Sequence, residues 1–349
     1  MTTQILFDAS DRDTIALIQT LKPTLVVVLT DTNTRKHCLP ILERVLSKFE
    51  NVKHVTLRVG ERYKNFESTQ KVLDELLSNN AGKDALLINL GGGVITDIGG
   101  FVASIYKRGI SYINIPTTLL AQSDAAIGGK TGINAGAVKN SVGTIYPPVA
   151  TIINTCYLDS LSEKEGLNGL AEIMKHALLD GDDHWQMFLK YLDGKVKLPE
   201  LLKRSVAFKE QVVEKDPLEN GYRRILNFGH TVGHAVEAYM LAQDKPVKHG
   251  FAVAFGMKVA MELSERRFAL QPPALQQAKE LIDTLFPPVH IAEAEIPLVL
   301  LPMQHDKKIK DNKLCFVLLE GLGKPHVDCM LDPKDVEVAI QLSLVPQQA

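Results

Sequence analysis

Four short runs of aliphatic, mostly β-branched residues, each stopping at a polar or glycine-rich turn, fix what the first half of this chain can become. TLVVVLT (24–30) stops at Asp31, HVTLRV (54–59) at Gly60-Glu61, ALLINL (85–90) at Gly91-Gly92-Gly93 and YINIP (112–116) at Thr117-Thr118. Apolar runs of this length suit strands buried on both faces. Stretches of helical period separate them, NFESTQKVLDELLSNN before the third and ITDIGGFVASIYKRG before the fourth. The alternation predicts an α/β domain, a Rossmann-like parallel sheet with helices on both faces.

After about residue 160 the texture changes. EGLNGLAEIMKHALLD, HWQMFLKYL, LPELLKRSVAFKEQVVEK, HTVGHAVEAYMLA, GFAVAFGMKVAMELSERRFAL and ALQQAKELIDTLF all read as helices, and LCFVLL (314–319) as one strand. The expected organisation is an α/β domain over 1–160 and a mainly α-helical domain over 161–349, a length that suits two cores. A net charge of -2 gives no global basic field for nucleic acid or an anionic membrane, so an anion site must be built locally. No run approaches the roughly 20 apolar residues of a membrane span. The N-terminus lacks the basic and apolar regions of a secretory signal. The four cysteines, without CxxC pairing, suggest reduced thiols in a cytoplasmic protein.

Three features fall on the carboxyl edge of the predicted sheet, where such folds bind ligands. Gly91-Gly92-Gly93, between strand and helix, lets the backbone approach a pyrophosphate, and Asp97 follows in the helix. This is not GxGxxG, and a plain tight turn is the competing reading. Asp31 can accept from ribose hydroxyls and favours NAD over NADP, or Asp31-Thr32-Asn33 caps a helix. Thr117 and Thr118 add two hydroxyls.

In the second half, NFGHTVGH places His230 and His234 at i and i+4, on one helical face, and His249-Gly250 opens another helix. With Glu172, which has apolar neighbours, these suit zinc with an open position. Ordinary hydrogen-bonded histidines, and helix pairing of Glu172 with Lys175 or His176, are the competing readings. The glycine-rich stretch from Asp124 to Thr131, containing Lys130, reads as a loop resembling a phosphate cradle, with Lys139-Asn140 just beyond. Lys175, Lys209, Arg223 and Lys307-Lys308 recur later. Each alone reads as a solvated cation; together they suit a substrate bearing phosphate and carboxylate.

These stretches together resemble the 3-dehydroquinate synthase family: GGGVITD (91–97), YKRG (106–109), IPTTLLAQSD (115–124), GGKTGIN (128–134), KN (139–140), GLAEIMK (169–175), LNFGHTVGHAVE (226–237), HG (249–250) and DKK (306–308). The resemblance implies an NAD-binding domain, a helical domain, zinc or cobalt, and a homodimer. It implies Glu172, His230 and His249 as metal ligands and His234 as the histidine that moves protons. Substrate contacts are implied at Asp124, Lys130, Asn140, Lys175, Lys209, Arg223, Asn227 and Lys307, with Arg108 reaching across the dimer to the phosphate. NAD contacts are implied at Asp31, Asn33, Glu61, Lys64, Gly92, Gly93, Val94, Asp97, Thr117, Thr118 and Lys139. Thr96 stands where the family usually has glycine, Ser123 and Ala125-Ala126 replace its usual surroundings of Asp124, and Phe251 stands where glutamate usually follows His-Gly.

The implied reaction converts 3-deoxy-D-arabino-heptulosonate 7-phosphate to 3-dehydroquinate and phosphate. It proceeds by transient oxidation, phosphate elimination, reduction and intramolecular aldol closure. The alternatives are another sugar-phosphate cyclase, such as 2-deoxy-scyllo-inosose synthase, a metal-dependent polyol dehydrogenase, and a catalytically silent NAD-binding protein.

Overall fold

The computed structural model describes residues 3–136, 138–304 and 313–344. The chain divides into two compact units, Met1–Gly166 and Leu167–Ala349.

In the first unit, β1 (Gln4–Phe7), β2 (Val26–Asp31), β3 (Val52–Leu57), β4 (Leu86–Gly91), β5 (Ser111–Pro116) and β8 (Ala150–Ile153) form one six-stranded sheet in the order β1-β8-β5-β4-β2-β3. All its pairings are parallel. Helices α1 (Asp11–Leu21), α2 (Thr32–His37), α3 (Leu39–Leu46), α4 (Phe66–Ser78) and α5 (Gly93–Ile105) lie between the strands in sequence. The period-2 geometry of a strand sends alternate residues to opposite faces. Val27 and Leu29 accordingly join Val72 and Leu76 of α4 and Ile95 and Ile98 of α5 in one core. Val26 and Val28 join Ile18 of α1 and Leu42 and Val45 of α3 in another. Full burial of such side chains stabilises by about 1.5–3 kcal/mol each.

In this unit the four expected strands are present, and its described residues add four unanticipated ones: β1 and β8 in the same sheet, and a separate pair, β6 (Lys130–Ala135) and β7 (Val138–Ile145). β1 and β8 are only four residues long. The glycine-rich stretch expected as a loop is ordered differently. Residues Ala121–Ala125 form a single π turn carrying Asp124, and Lys130-Thr131 open β6, paired antiparallel with β7. β7 alternates exposed with half-buried residues and has no fully buried position, so it lacks the apolar run that betrays a strand.

The second unit holds most of α6 (Glu163–Asp180), then α7 (Asp182–Leu192), α8 (Leu198–Lys215), α9 (His230–Ala242), α10 (His249–Phe268), α11 (Pro273–Leu285), α12 (Ile296–Gln304), the hairpin β9 (Leu314–Leu319) and β10 (Pro325–Leu331), and α13 (Pro333–Ser343). β9 is the expected strand. Its partner β10 alternates half-buried with exposed residues and gave no apolar signal. Val236, Ala252, Val259, Val299, Leu318 and Ile340 meet in the core of this unit. No helix among the described residues is long and apolar enough to cross a membrane.

A buried polar relay ties the sheet to the π turn. Asn89 of β4 donates to Asn114 Oδ1 of β5 at 2.9 Å, and the Ala126 carbonyl accepts from Thr151 Oγ1 at 3.2 Å and Asn114 Nδ2 at 3.4 Å. Gly99 of α5 packs directly on it: a Cβ there would lie 1.8 Å from Asn89 Oδ1. Asn89 is held by its own amide bond, so Gly99→Ala is expected to destabilise the protein by about 1–3 kcal/mol in urea unfolding. An unchanged midpoint would mean that the relay yields without cost.

Candidate active site

Three helices of the second unit converge through close backbone approaches. A Cβ on Gly256 of α10 would lie 1.9 Å from the Gly229 carbonyl and 2.9 Å from Gly233 N, so α9 and α10 meet backbone to backbone. Gly229 caps α9 with φ 78°, a left-handed conformation that suits glycine. At the start of α10, the Gly250 N–H donates to Asn168 Oδ1 of α6 at 2.7 Å, and a Cβ on Gly250 would lie 2.0 Å from the Asn168 carbonyl. Glu172 lies one turn beyond Asn168, and His249 immediately precedes Gly250.

The result is a convergence of His230, His234 and His249, whose candidate ligand atoms lie within 4.8 Å of one another. His230 Nε2 is 3.6 Å and His249 Nε2 3.3 Å from the same oxygen, Glu172 Oε1. Glu172 is fully buried, and its Oε2 contacts the equally buried Lys175 ammonium. The remaining ring nitrogens are engaged differently. His249 Nδ1 donates to Glu237 Oε2 at 3.0 Å, whereas His230 Nδ1 donates to the Phe228 carbonyl at 3.2 Å. Burial and the Lys175 cation hold His230 well below the usual imidazole range. Burial opposes the charged form of His249 as well, but its bonds to Glu172 and Glu237 prevail and lift it to about 10. A buried carboxylate and two imidazoles whose Nε2 atoms face its oxygen form a donor set suited to a divalent cation such as zinc. The backing of each Nδ1 fixes Nε2 as the ligating atom.

Phe251 is buried against Phe286, with ring centroids 6.3 Å apart, and takes no part in this set. Glu237 of α9, not singled out in the sequence, backs His249 instead. Its i,i+7 spacing from His230 and its place at the end of the LNFGHTVGHAVE stretch were the available signals.

Arg223 and Asn227 sit on a short 3-10 segment, Tyr222–Asn227, held by Asp216. The Asp216 carboxylate accepts the backbone N–H groups of Asn220 (2.9 Å), Gly221 (2.7 Å) and Arg223 (3.0 Å). Burial raises its proton affinity, but these donors outweigh burial and keep it below its ordinary value. Arg223 is buried and its Nη1 donates to the Pro217 carbonyl at 2.9 Å. Asn227 Nδ2 donates to Glu219 Oε1 at 3.2 Å. Asp216 and Glu219 also escaped the sequence reading, being short-range turn residues without periodicity. Lys209 is buried on α8. Lys307 lies outside the described residues.

In the first unit, the carboxyl ends of β2, β4 and β5 gather the expected nucleotide residues. Gly91 pairs with Pro116, and Thr117 N–H donates to the Gly91 carbonyl at 3.1 Å. A Cβ on Gly92 would lie 3.0 Å from Thr118, and one on Gly93 3.3 Å from Ala125, so the turn before α5, completed by Val94, packs closely on both. Thr96 is buried and its hydroxyl donates to the Gly93 carbonyl at 3.1 Å, which keeps it within the helix. Asp31 caps α2, accepting from the N–H groups of Asn33 and Thr34 at 2.8 Å each. The capping alternative is therefore realised at this carboxylate.

A second cluster joins residues distant in sequence. The buried Lys64 ammonium pairs with Asp97 Oδ2 at 2.5 Å and donates to Asn140 Oδ1. Asn134 Nδ2 donates to Glu61 Oε1 at 2.9 Å. Asp124 is half-buried, Lys139 is half-buried beside Asn140, and Lys130 is exposed at the start of β6. Arg108 stands apart: it is exposed beyond the far end of α5, about 20 Å of helix from Gly92-Gly93. Lys107 and Arg108 are consecutive left-handed residues with φ 47° and 62°.

Comparison with known proteins places the chain in a family. Residues 54–168 match the family described as 3-dehydroquinate synthase N-terminal, and residues 169–309 match 3-dehydroquinate synthase C-terminal. A 3-dehydroquinate synthase of Parabacteroides distasonis is 37% identical over 314 residues, covering 89% of each chain. Among solved structures, 2-deoxy-scyllo-inosose synthase with carbaglucose-6-phosphate, NAD+ and Co2+ superposes with a TM-score of 0.84 at 22% identity, covering 97% of this chain and 96% of that one. The 2-epi-5-epi-valiolone synthase of Streptomyces hygroscopicus subsp. jinggangensis, with NAD+ and Zn2+ bound, gives 0.83 at 25% identity, covering 98% and 97%. The fold is that of the sugar-phosphate cyclases. The chain belongs to the 3-dehydroquinate synthase family.

Two outcomes follow from the geometry. Glu237→Gln removes the carboxylate behind His249 and is expected to weaken zinc binding about ten- to a hundredfold in chelator competition; unchanged affinity would assign Glu237 to packing alone. Asp216 is depressed in the folded protein, so its stabilisation is full above the ordinary carboxyl range and disappears as pH falls through the folded value. The stability gap between wild type and Asp216→Asn should therefore be wide at neutral pH and narrow below about pH 4 in urea unfolding. A gap independent of pH would contradict this role.

Proposed function

We propose that the chain converts 3-deoxy-D-arabino-heptulosonate 7-phosphate to 3-dehydroquinate and phosphate, a carbon–oxygen lyase reaction of the shikimate pathway. The observation that carries the reading is one of charge. Three cations, Lys175, Lys209 and Arg223, are buried in the same unit as the Glu172, His230 and His249 set. Lys175 is paired with Glu172, and a concentration of buried cations in the unit that carries this set favours an anionic ligand over a neutral one. A polyol would not require them, whereas a substrate with both phosphate and carboxylate does.

In this reading Glu172, His230 and His249 hold zinc or cobalt, and Asp31, Asn33, Glu61, Lys64, Gly92, Gly93, Val94, Asp97, Thr117, Thr118 and Lys139 surround NAD. When bound, NAD supplies a transient hydride acceptor at C5 and the cation supplies Lewis acidity there. The rest falls to side chains. Arg223, Lys209 and Lys307 hold the carboxylate region, with Arg223 fixed in place by the Asp216 turn. Asp124 and Asn227 orient hydroxyls, Asn227 being steadied by Glu219. Lys130, Asn140 and Lys175 bind the phosphate and nearby hydroxyls, and their positive charge favours its departure as an anion. His234, exposed with its ring 5.2 Å from His230 and 5.8 Å from His249, moves protons at substrate oxygens.

Arg108, exposed beyond the end of α5, is the residue that the family resemblance directs outward to a partner protomer. It serves the phosphate of a second protomer, which makes the working form a homodimer. The left-handed Lys107-Arg108 pair supports this, since such backbone persists where function over-determines it. The four free thiols suit the cytoplasm.

The test is phosphate release from 3-deoxy-D-arabino-heptulosonate 7-phosphate with NAD and zinc or cobalt. Release without net NADH, abolished by chelation and cut at least about a hundredfold in Glu172→Ala and His230→Ala, is expected. Near-wild-type turnover in those variants would sink the metal assignment. Turnover of glucose 6-phosphate in place of the acid would move the chain to the 2-deoxy-scyllo-inosose synthase reaction.

A further inference from the structure

Asn134 lies where the pairing of β6 and β7 is irregular, between Ile133 and Ala135. Its polar groups face three partners. Nδ2 donates to Glu61 Oε1 at 2.9 Å, Oδ1 accepts the backbone N–H of Asn140 at 2.9 Å, and its own N–H donates to the Lys64 carbonyl at 2.8 Å. Asn140 has φ 49°, in the left-handed region that side chains other than glycine avoid and asparagine tolerates best. In that conformation its Oδ1 accepts from the Lys64 ammonium, which also pairs with Asp97.

We propose that Asn134 is a positioning residue that locks the cofactor-side groups Glu61 and Lys64 and the substrate-side group Asn140 into one unit. This rests on the assignment of those residues to NAD and substrate made above. The bond from Asn140 N–H to Asn134 Oδ1 holds Asn140 in its left-handed state. Without it the backbone relaxes towards negative φ, the Asn140 amide turns away from Lys64, and Lys64 falls back on Asp97. The bond from Asn134 Nδ2 holds the Glu61 carboxylate separately. The two halves of the Asn134 amide therefore have separable tasks, the oxygen serving the substrate side and the nitrogen the cofactor side.

Substitution can separate them. Asn134→Ala removes both bonds; Asn134→Asp keeps the acceptor for Asn140 but sets a carboxylate against Glu61. Calorimetric NAD titration, steady-state kinetics with 3-deoxy-D-arabino-heptulosonate 7-phosphate and thermal melting are measured on the full-length, metal-loaded protein. Asn134→Ala should raise both the Kd for NAD and the substrate KM about tenfold, the scale of one lost hydrogen bond each. Asn134→Asp should raise the NAD Kd about tenfold and leave KM within about threefold of wild type. The proposal is overturned if Asn134→Ala leaves both constants within about twofold, or if the two variants shift both constants together in step with melting temperature. A wild-type protein that neither binds NAD nor releases phosphate would overturn the functional reading beneath it, and this proposal with it.

Discussion

The site depends first on a distance of approach. α9 and α10 meet with no side chain between them, because Gly256 faces the Gly229 carbonyl where a Cβ would sit 1.9 Å away. Packed interiors respond to a single methyl group, and here the obstacle would be backbone, which cannot swing aside. This contact sets His230 and His234 against His249. The second close contact, Gly250 on Asn168, fixes α6 to the start of α10 and delivers Glu172. The polar centre is therefore a product of apolar geometry: three helices locked by small residues leave one space for the four groups to share.

Within that space the charges are balanced by unlike neighbours. Glu172 stands between Lys175 and two imidazoles, and those imidazoles are pushed in opposite directions. His230, backed by a neutral carbonyl and facing an ammonium, favours the neutral ring, while His249, between two carboxylates, favours the charged one. An incoming divalent cation would displace a proton from His249 but find His230 already neutral. Asp216 applies the same logic at a distance, using backbone N–H groups in place of side-chain cations to hold a turn rigid.

Much of this was legible in the sequence, and the parts that were not share a cause. β2, β4 and β5 are buried on both faces and announce themselves as apolar runs. β6 and β7 do not: β7 has no buried position, and the buried part of β6, Thr131-Gly132-Ile133, is too short and too polar to read as an apolar run. The His230 and His234 spacing, His249 and the buried Glu172 were readable from local pattern. Their supports were not. Glu237 meets His249 from another helix, Asn134 meets Glu61 across 73 positions, and Gly256 matters only for what it faces. Tertiary contacts of this kind leave no period in the sequence. Asp31 shows the reverse case: the two readings open in the sequence are compatible, since capping engages one oxygen, Oδ1, in the backbone bonds.

The β6–β7 ribbon carries a broader consequence. Its near end is anchored, with Ile133 fully buried and Thr131 bonded to Thr144 at 2.8 Å. Its far end, around Val138 and Asn140, is exposed and tied down by polar contacts to Lys64 and Asn134. A segment held this way opens locally at lower free energy than the buried strands of the sheet. Its residues can be exchanged in evolution without disturbing the cores that stabilise the domain. The ribbon is thus the part of this unit that the fold can best spare for change, a division of labour in which the buried strands supply stability and the half-exposed hairpin supplies variation.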